Sequence, residues 1–380
     1  MSQTPSPAAA IWQMQESGTT AGLRGIDSVD GMVAWASGTG GTVLRTIDGG
    51  AHWAKCAVPD GAKDGATLDF RDVQAFDART AFVMSSGKGK LSRLYLTVDG
   101  CKSWKLNFAN PDNDGFWDTF NFRWFGDRKY GTGWLLGEPV KGMISLFASD
   151  YRGRYWTKQN NKGLCIASDS QRAFATNYSS LFAFGGFLEI GSGGTGGASV
   201  YSETESEVCL DCSEENTDRE GRKNKWIHAP VPLGHGTDSS EVMSIGARPQ
   251  FVGAPAGYQI LVIVGGDSAN PHESHNTAAF RISYDQPWIA TMTPPHGFRS
   301  AVEWSESLKA WITVGANGSD ISRDDGKTWQ SLDNGNWNAL SLPYVVGPNG
   351  RIARINPAAL PAAVTNGIQS RAESSPNTVK

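Results

Sequence analysis

The sequence predicts an all-β protein that repeats one four-stranded unit around a ring, and three observations lead to this prediction. The chain holds 45 glycines and 14 tryptophans, and only 19% of its 380 residues are charged, which suits short strands joined by many turns. One pattern of eight residues recurs in four copies. The tryptophans that end the first three copies lie about fifty residues apart, which is room for four strands of about five or six residues with their turns. Together these observations predict a β-propeller.

The repeated pattern reads Ser/Thr-x-Asp-x-Gly-x-x-Trp, and each residue type in it suits a tight turn between two strands. The Asp carboxylate accepts amide hydrogens of the turn, Gly adopts a positive φ, and Trp covers the turn with apolar surface. In the third copy Tyr151 stands in the Asp place. The pattern resembles the Asp-box, or BNR repeat, of β-propellers, which marks architecture rather than chemistry. The residues predicted to be structural are Asp48, Asp99, Asp324, Trp53, Trp104, Trp156 and Trp329.

The tryptophan spacing predicts seven blades, with the last one completed by the N-terminus. Trp226 and Trp288 follow at longer intervals and are predicted to end degenerate copies in blades that carry insertions. After Trp329 only two or three strands remain, without a further copy. Because an open last blade would expose an unpaired edge, strand 11–15 is expected to complete it. The predicted propeller spans residues 11–356 with an acidic insertion at 202–225, and disordered segments are expected at 1–10 and 357–380.

Several longer segments resemble a known family. Residues 38–53 are similar to the photosystem II stability/assembly factor family, whose members are seven-bladed propellers, and residues 347–352 resemble that family's last blade. Further segments resemble non-photosynthetic bacterial relatives within the sialidase-like superfamily, at 137–142, 264–267, 297–302 and 314–320. The resemblance runs from Trp12 to Ile355 and implies the fold. A photosystem role does not follow, because nothing in the chain indicates a photosynthetic host.

Polar residues at the start of the innermost strands are the main candidates for binding, because these positions converge on the central channel. Three of them are arginines, and each guanidinium can hold a carboxylate through two hydrogen bonds. The alternative is that each arginine pairs with a neighbouring acid, such as Asp72 or Asp118, and joins adjacent blades. The predicted binding residues, aligned blade by blade from the repeated turns, are Arg24, Arg71, Arg299, Asn177, Ser240 and Asn338.

Carboxylates leave an enzymatic alternative open. A glycoside hydrolase needs two acids about 5–10 Å apart, and the candidates are Asp118, Glu138 and Asp267. The Arg-Ile-Pro-type segment expected near the start of a sialidase is absent. The preferred function is therefore a non-catalytic binding or assembly scaffold that engages a protein or peptide at the channel mouth. A sialidase-like hydrolase acting on a carbohydrate is the alternative.

Motifs for metals and cofactors are incomplete, so neither is predicted. Cys209 and Cys212 have redox or half-zinc spacing, but no second pair completes the ligands, which leaves a loop disulfide or idle thiols. The histidines of 272–275 lack the spacing of a zinc helix. The glycine-rich run 191–197 lacks the Lys-Ser/Thr of a phosphate loop and is predicted to be a flexible turn. The remaining cysteines, predicted to be single buried apolar residues, are Cys56, Cys101 and Cys165.

Charge and hydropathy limit the partners. The net charge is −4 with both signs interspersed, which argues against nucleic acid, and no apolar run approaches the roughly 18 residues of a membrane span. The expected partner is a protein or peptide with an anionic group, or a carbohydrate, and the protein is expected to be a monomer. Residues 1–10 carry no signal pattern. The protein is therefore expected in the cytoplasm, or in the periplasm or outside the cell if a signal peptide was removed.

Overall fold

The computed structural model describes residues 10–60, 64–125, 130–161, 164, 180–184, 187–204, 225–251 and 259–362. These residues form β-strands and short 3-10 turns, and none of them lies in an α-helix. The strands, in chain order, are β1 Trp12–Gln15, β2 Leu23–Ser28, β3 Ala34–Gly38, β4 Val43–Thr46, β5 Ala54–Lys55, β6 Asp69–Ala75, β7 Ala81–Ser86, β8 Arg93–Thr97, β9 Lys105–Ala109, β10 Trp117–Phe125, β11 Tyr130–Val140, β12 Met143–Ser149, β13 Trp156–Lys158, β14 Leu181–Phe184, β15 Phe187–Ser192, β16 Ser199–Thr204, β17 Lys225–Pro230, β18 Ser240–Pro249, β19 Gln259–Asp267, β20 Ala278–Arg281, β21 Ile289–Ala290, β22 Ala301–Ser305, β23 Ala310–Gly315, β24 Gly318–Ser322, β25 Gln330–Asp333, β26 Ala339–Ser341, β27 Tyr344–Val346 and β28 Ile352–Ile355.

The strands form seven antiparallel sheets of four strands each. Blades 1 to 6 are the consecutive sets β2–β5, β6–β9, β10–β13, β14–β17, β18–β21 and β22–β25, and blade 7 combines β26–β28 with β1. The first strand of each blade contacts the first strand of the next, and β26 of blade 7 contacts β2 of blade 1. The sheets therefore close into a ring, and the predicted seven-bladed β-propeller is confirmed.

The N-terminal strand closes the ring, as predicted. It pairs antiparallel with β28, with Trp12 opposite Ile355 and Gln15 opposite Ile352. The indole of Trp12 is buried and donates a 3.0 Å hydrogen bond to the hydroxyl of Ser319 in blade 6. The last blade is therefore anchored both to the start of the chain and to its neighbouring blade.

The hydrophobic core lies between neighbouring blades rather than at one centre. Phe82 of blade 2 packs with Phe120 of blade 3, and Val262 of blade 5 packs with Trp311 of blade 6. Blades approach so closely that a Cβ added to Gly25 would lie 3.1 Å from the carbonyl oxygen of Arg71. Because each interface buries its own apolar residues, a ring can grow to this length as one domain.

Polar side chains on the innermost strands join each blade to the next by accepting its backbone amides. The amide of Phe120 donates to Asp72 at 3.0 Å, and the amide of Ala75 donates to Asp27 at 2.6 Å. Burial raises the pKa of Asp72 well above its usual value, although the hydrogen bond from Phe120 acts in the opposite direction. Asp72 is thus a link between blades 2 and 3, whereas the sequence suggested it as an arginine partner.

The repeated turns connect the third and fourth strands of the blades. Asp324 accepts the amide of Thr328 at 2.9 Å and its hydroxyl at 2.6 Å, and also the hydroxyl of Ser322 at 2.9 Å. Asp48 and Asp99 accept the amide of the residue four positions later at 3.0 and 3.1 Å. Each carboxylate therefore accepts hydrogen bonds from its own turn, as a structural role requires.

The third copy of the turn uses an acid that lies one residue before the aligned Asp place. Asp150 accepts the amide of Arg154 at 2.7 Å, whereas Tyr151, in the aligned Asp place, is 67% exposed. The indole of Trp156 is buried against the turn and donates to the carbonyl of Gly153 at 2.9 Å. A shift of one residue therefore preserves the same hydrogen bonding.

Two of the cysteines form a disulfide, so the prediction of separate buried thiols is wrong for them. Cys56 follows the last strand of blade 1, Cys101 lies in the repeated turn of blade 2, and their Cα atoms are 5.2 Å apart. Cys101 has a φ of 63° at the place where the other turns carry Gly50 and Gly326, with φ values of 85° and 80°. This left-handed position directs its sulfur towards blade 1. Cys165, Cys209 and Cys212 lie outside the described residues.

Three further segments were singled out by the sequence. The glycine run is not a free turn, because Gly193 bridges to blade 5 and an added Cβ would lie 2.0 Å from the carbonyl oxygen of Ser240. Of the acidic insertion, residues 205–224 lie outside the described part of the chain. Of the expected C-terminal tail, residues 357–359 form a 3-10 turn and Arg323 donates to the carbonyl of Pro361 at 3.2 Å, whereas 363–380 are not described.

Candidate functional site

The innermost strands β2, β6, β10, β14, β18, β22 and β26 begin at one face of the ring, which we call the mouth. In blades 1, 2, 3 and 5 this strand carries a β-bulge near its start, at Arg24, Arg71, Asp118 and Met243. A bulge adds one residue to a strand and changes the direction of its side chain. These positions therefore form one equivalent set around the mouth.

Blades 6 and 7 show the same position through their hydrogen bonds. The amides of Ser300 and Asn338 donate to the carbonyls of Val314 and Val346, the residues that pair with Ala301 and Ala339. The equivalent residue in blade 6 is therefore Ser300.

The predicted alignment was out of register in two blades. Arg299 lies one residue before the equivalent position of blade 6, and Ser240 lies three residues before that of blade 5. A slip of one residue in a strand moves a side chain to the opposite face. The predicted positions depend on counting residues from the repeated turns. This count fails because the connection from a blade to the next innermost strand differs in length, as the connections β9 to β10 and β25 to β26 show.

Arg299 is fully buried and its donors are used within blade 6. It binds Asp320 at 2.6 Å, the side chain of Asn317 at 2.6 Å and the carbonyl of Phe298 at 2.8 Å, and it contacts Nδ1 of His296 at 2.8 Å. Burial lowers the pKa of Arg299, and the charge of Asp320 opposes this effect. Its geometry fits the structural alternative, and no surface remains for a partner.

Two other predicted binding residues also have structural contacts. The hydroxyl of Ser240 is buried and accepts the amides of His235 and Thr237 at 3.0 Å each. The side-chain amide of Asn338 donates to the carbonyl of Leu23 at 2.7 Å and so joins blade 7 to blade 1. Asn177 lies outside the described residues.

Arg24 and Arg71 come together at one carboxylate, that of Asp69. Nε of Arg24 lies 2.8 Å from Oδ1, and Nε of Arg71 donates to Oδ2 at 3.2 Å. The side chains of Arg24, Asp69 and Arg71 are 34%, 26% and 24% exposed, so solvent reaches all three. We call this group the Arg24–Asp69–Arg71 triad.

Both arginines of the triad have N–H donors without a hydrogen-bond acceptor among the described residues. The contact of Arg24 with Asp69 is an ion pair without hydrogen-bond geometry, since neither Nε nor Oδ1 has a hydrogen-bond partner among the described residues. The terminal nitrogens of Arg24 and Arg71 have no acceptor in the same part of the chain. The centre of the Phe116 ring in blade 3 lies 5.3 Å from the guanidinium carbon of Arg71, so the ring packs against this guanidinium group. The triad can therefore accept an anion at the terminal edges of both guanidinium groups.

The sequence did not single out Asp69, although a signal was present. It named Asp72, which follows Arg71 directly, whereas neighbours one apart in a strand face opposite sides and residues two apart face the same side. Asp69 precedes Arg71 by two residues. The spacing therefore favoured Asp69 as the partner.

Two of the three candidate hydrolase acids, Asp118 and Asp267, are buried and so are not presented to a substrate. Asp267 accepts hydrogen bonds from the hydroxyl of Ser239 at 2.5 Å and the side chain of Asn270 at 2.9 Å. Burial alone would raise the pKa of Asp267, but these hydrogen bonds outweigh it and lower the pKa. Asp118 is buried, and Glu138 is half-buried with its amide bound to the carbonyl of Phe116 at 2.8 Å.

A further acid lies at the mouth, Glu241, which the sequence did not single out. Burial raises the pKa of Glu241 to about 7; a hydrogen bond from Ser268 opposes the rise, and the charges of Asp267 and Glu138 add to it. A carboxyl group with a raised pKa next to one with a lowered pKa is typical of a glycosidase. Here, however, Glu241 and Asp267 are only 3% and 4% exposed, which leaves a sugar no access.

The opposite face of the ring carries a cavity of about 540 Å³. It is formed by the turns between the first and second strands of blades 1, 6 and 7. Its lining includes Asp30, Glu303, Glu306, Trp304 and Arg354. Three acids against one arginine make it a poor place for an anionic partner.

The described residues contain no cluster of three or more His, Cys, Asp or Glu that could hold a metal ion. Within the same ranges, no helix has the length and apolar character needed to cross a membrane.

The chain has the fold of two solved structures. No protein-family model matches the sequence, and neither does any curated protein. YCF48 from Cyanidioschyzon merolae is similar with a TM-score of 0.54 and 17% identity, covering 92% of this chain and 100% of that one. A structure of YCF48 bound to a D1 peptide is similar with a TM-score of 0.53 and 15% identity, covering 92% of this chain and 98% of that one. At such identities the likeness concerns the fold.

Proposed function

We propose that this propeller is a non-catalytic binding or assembly scaffold that takes a peptide at its mouth, with a carboxylate of the peptide on the Arg24–Asp69–Arg71 triad. The observation that carries the proposal is the triad itself. Two arginines of neighbouring blades are solvent-accessible, and their terminal nitrogens have no acceptor among the described residues. Charge-assisted hydrogen bonds from guanidinium to carboxylate are among the strongest that a protein surface offers.

The fold supports a peptide as the partner. One of the similar structures is YCF48 bound to a D1 peptide, so a propeller of this fold can take a peptide ligand. The sequence resemblance to the photosystem II stability/assembly factor family points the same way. The hydrolase alternative has no comparable support, because its best pair of acids is enclosed.

The proposal is tested with an array of short random peptides, each made with a free C-terminal carboxylate and as the amide. We expect binders among the free acids, with the matching amides bound at least about tenfold more weakly, since one charge-assisted interaction contributes roughly 1.5–3 kcal/mol. Arg24→Gln and Arg71→Gln should each weaken the free acids by a similar factor. Equal binding of acids and amides would contradict the proposal.

The matched control is Arg79→Gln. Arg79 is exposed on the turn between β6 and β7, on the face opposite the mouth. The control removes the same positive charge from the same blade, so general electrostatic attraction changes equally. We expect it to leave peptide affinity unchanged. A loss equal to that of Arg71→Gln would mean that net charge, and not the triad, attracts the peptides.

The disulfide supports a location outside the cytoplasm. Cys56 and Cys101 are joined in the structure, and disulfides persist mainly in oxidising compartments such as the periplasm or the extracellular space. Mass spectrometry of the protein from its native cells, with alkylation before and after reduction, tests this. Alkylation of both cysteines without reduction would place the protein in a reducing compartment.

A further inference from the structure

Asp69 is not required by the fold at its position. In blades 1, 3, 5, 6 and 7 the second strand approaches the carbonyl of the residue two places before the equivalent mouth position. An added Cβ on Gly38 would lie 2.4 Å from the carbonyl oxygen of Gly22, and one on Gly347 would lie 2.4 Å from that of Asn336. Asp69 stands at this place in blade 2, two residues before Arg71. The other blades carry different residue types at this place, so the fold does not require a carboxylate there; these residues are Gly22, Phe116, Glu241, Phe298 and Asn336 in blades 1, 3, 5, 6 and 7.

The carboxylate of Asp69 divides itself between the two arginines. One oxygen lies 2.8 Å from Nε of Arg24 and the other accepts from Nε of Arg71 at 3.2 Å. Both contacts use Nε, so the terminal edges of the guanidinium groups stay open to a ligand. Asp69 therefore leaves the terminal donors of both arginines available to a ligand, while its negative charge offsets one of the two positive charges of the site.

We infer that Asp69 is a specificity-determining residue, which sets the triad to a net charge of one and so makes it prefer a monoanionic carboxylate to a dianionic phosphate. This inference rests on the proposed function. A carboxylate neutralises the triad, whereas a phosphate dianion leaves it with an excess negative charge. The site therefore suits a peptide C-terminus or an acidic side chain rather than a phosphorylated residue.

The experiment uses the full chain and two probes that differ in charge. Acetate is a monoanion, and methyl phosphate is a dianion at about pH 8, because the second pKa of a phosphate ester is about 6. Each is titrated into isotope-labelled protein at constant ionic strength. The Nε–H signals of Arg24 and Arg71, assigned through Arg→Lys variants, report binding at the triad even when it is weak.

We expect methyl phosphate to bind the native protein no more tightly than acetate. In Asp69→Asn the affinity for methyl phosphate relative to that for acetate should rise about tenfold. The variant has one more net positive charge, which attracts a dianion more strongly than a monoanion. Asp69→Glu keeps the charge and should keep the native ratio. Asparagine is the native residue at this place in blade 7, so the Asp69→Asn variant is compatible with the fold, which its amide spectrum checks.

The outcomes separate the two claims. If neither probe shifts the Arg24 and Arg71 signals of the native protein, the proposed function fails and the inference with it. If acetate binds but Asp69→Asn leaves the ratio unchanged, or weakens both probes alike, Asp69 is not the specificity determinant while anion binding stands. Glu306→Gln removes one negative charge from the opposite face and must leave the ratio as it is; a shift there would assign the effect to net charge.

Discussion

Replacing Glu241 by glutamine tests the electrostatics of the mouth through stability. Burial raises the pKa of Glu241 from 4.5 to about 7, against a hydrogen bond from Ser268 and with help from the charges of Asp267 and Glu138. Between about pH 4.5 and about pH 7 the folded protein keeps a proton that the unfolded chain has lost. The free energy of unfolding therefore falls as pH rises through this window. The shift corresponds to roughly 3 kcal/mol in total.

Glutamine is neutral at every pH, so Glu241→Gln should remove this loss. Measured by urea denaturation, the variant should gain stability relative to the native protein by up to roughly 3 kcal/mol between about pH 4 and about pH 8. Any packing cost of the amide is the same at both ends, which is why the change with pH, and not the absolute value, is the test. A difference that stays constant across the range would refute the buried, proton-binding carboxyl.

Three further predictions test the structural assignments, each by urea denaturation of variants. Asp324→Ala should cost roughly 1–2 kcal/mol through lost turn hydrogen bonds and leave peptide binding intact; retained stability with lost binding would contradict a structural role. Replacing Cys56 and Cys101 by serine opens a loop of 45 residues and should cost up to roughly 4 kcal/mol in the chain-entropy model, whereas an unchanged midpoint would argue against the bond. Trp12→Ala should cost roughly 3–5 kcal/mol because it removes a buried indole from the closing strand, while Met14→Ala, exposed on the same strand, should be near neutral; equal effects would deny the closure its packing role.

The ring could be predicted from the sequence because its signals are local and repeated. The spacing of Trp53, Trp104 and Trp156 reflects one four-stranded unit per turn motif, and the missing strand of the last blade required the N-terminal segment. Neither inference needed knowledge of contacts between distant residues. The disulfide did need such knowledge, since the approach of Cys101 to Cys56 depends on how blades 1 and 2 pack.

The site was only partly predictable, because it depends on register to the single residue. Counting from the repeated turns found Arg24 and Arg71, but it slipped by one residue at Arg299, which the structure buries. Loop lengths between blades vary, and nothing local fixes where an innermost strand bulges. Glu241 could not be predicted because its raised pKa comes from burial and from neighbours in other strands, whereas the spacing of Asp69 two residues before Arg71 was a usable signal.

The structure of the protein in complex with a free-acid peptide selected from the array tests peptide binding at the triad most directly. We expect the terminal carboxylate to lie within about 3.5 Å of terminal nitrogens of both Arg24 and Arg71, at the mouth of the ring. A peptide bound instead on the outer rim, or in the acid-lined cavity beside Trp304 on the opposite face, would show that the triad is not the peptide site.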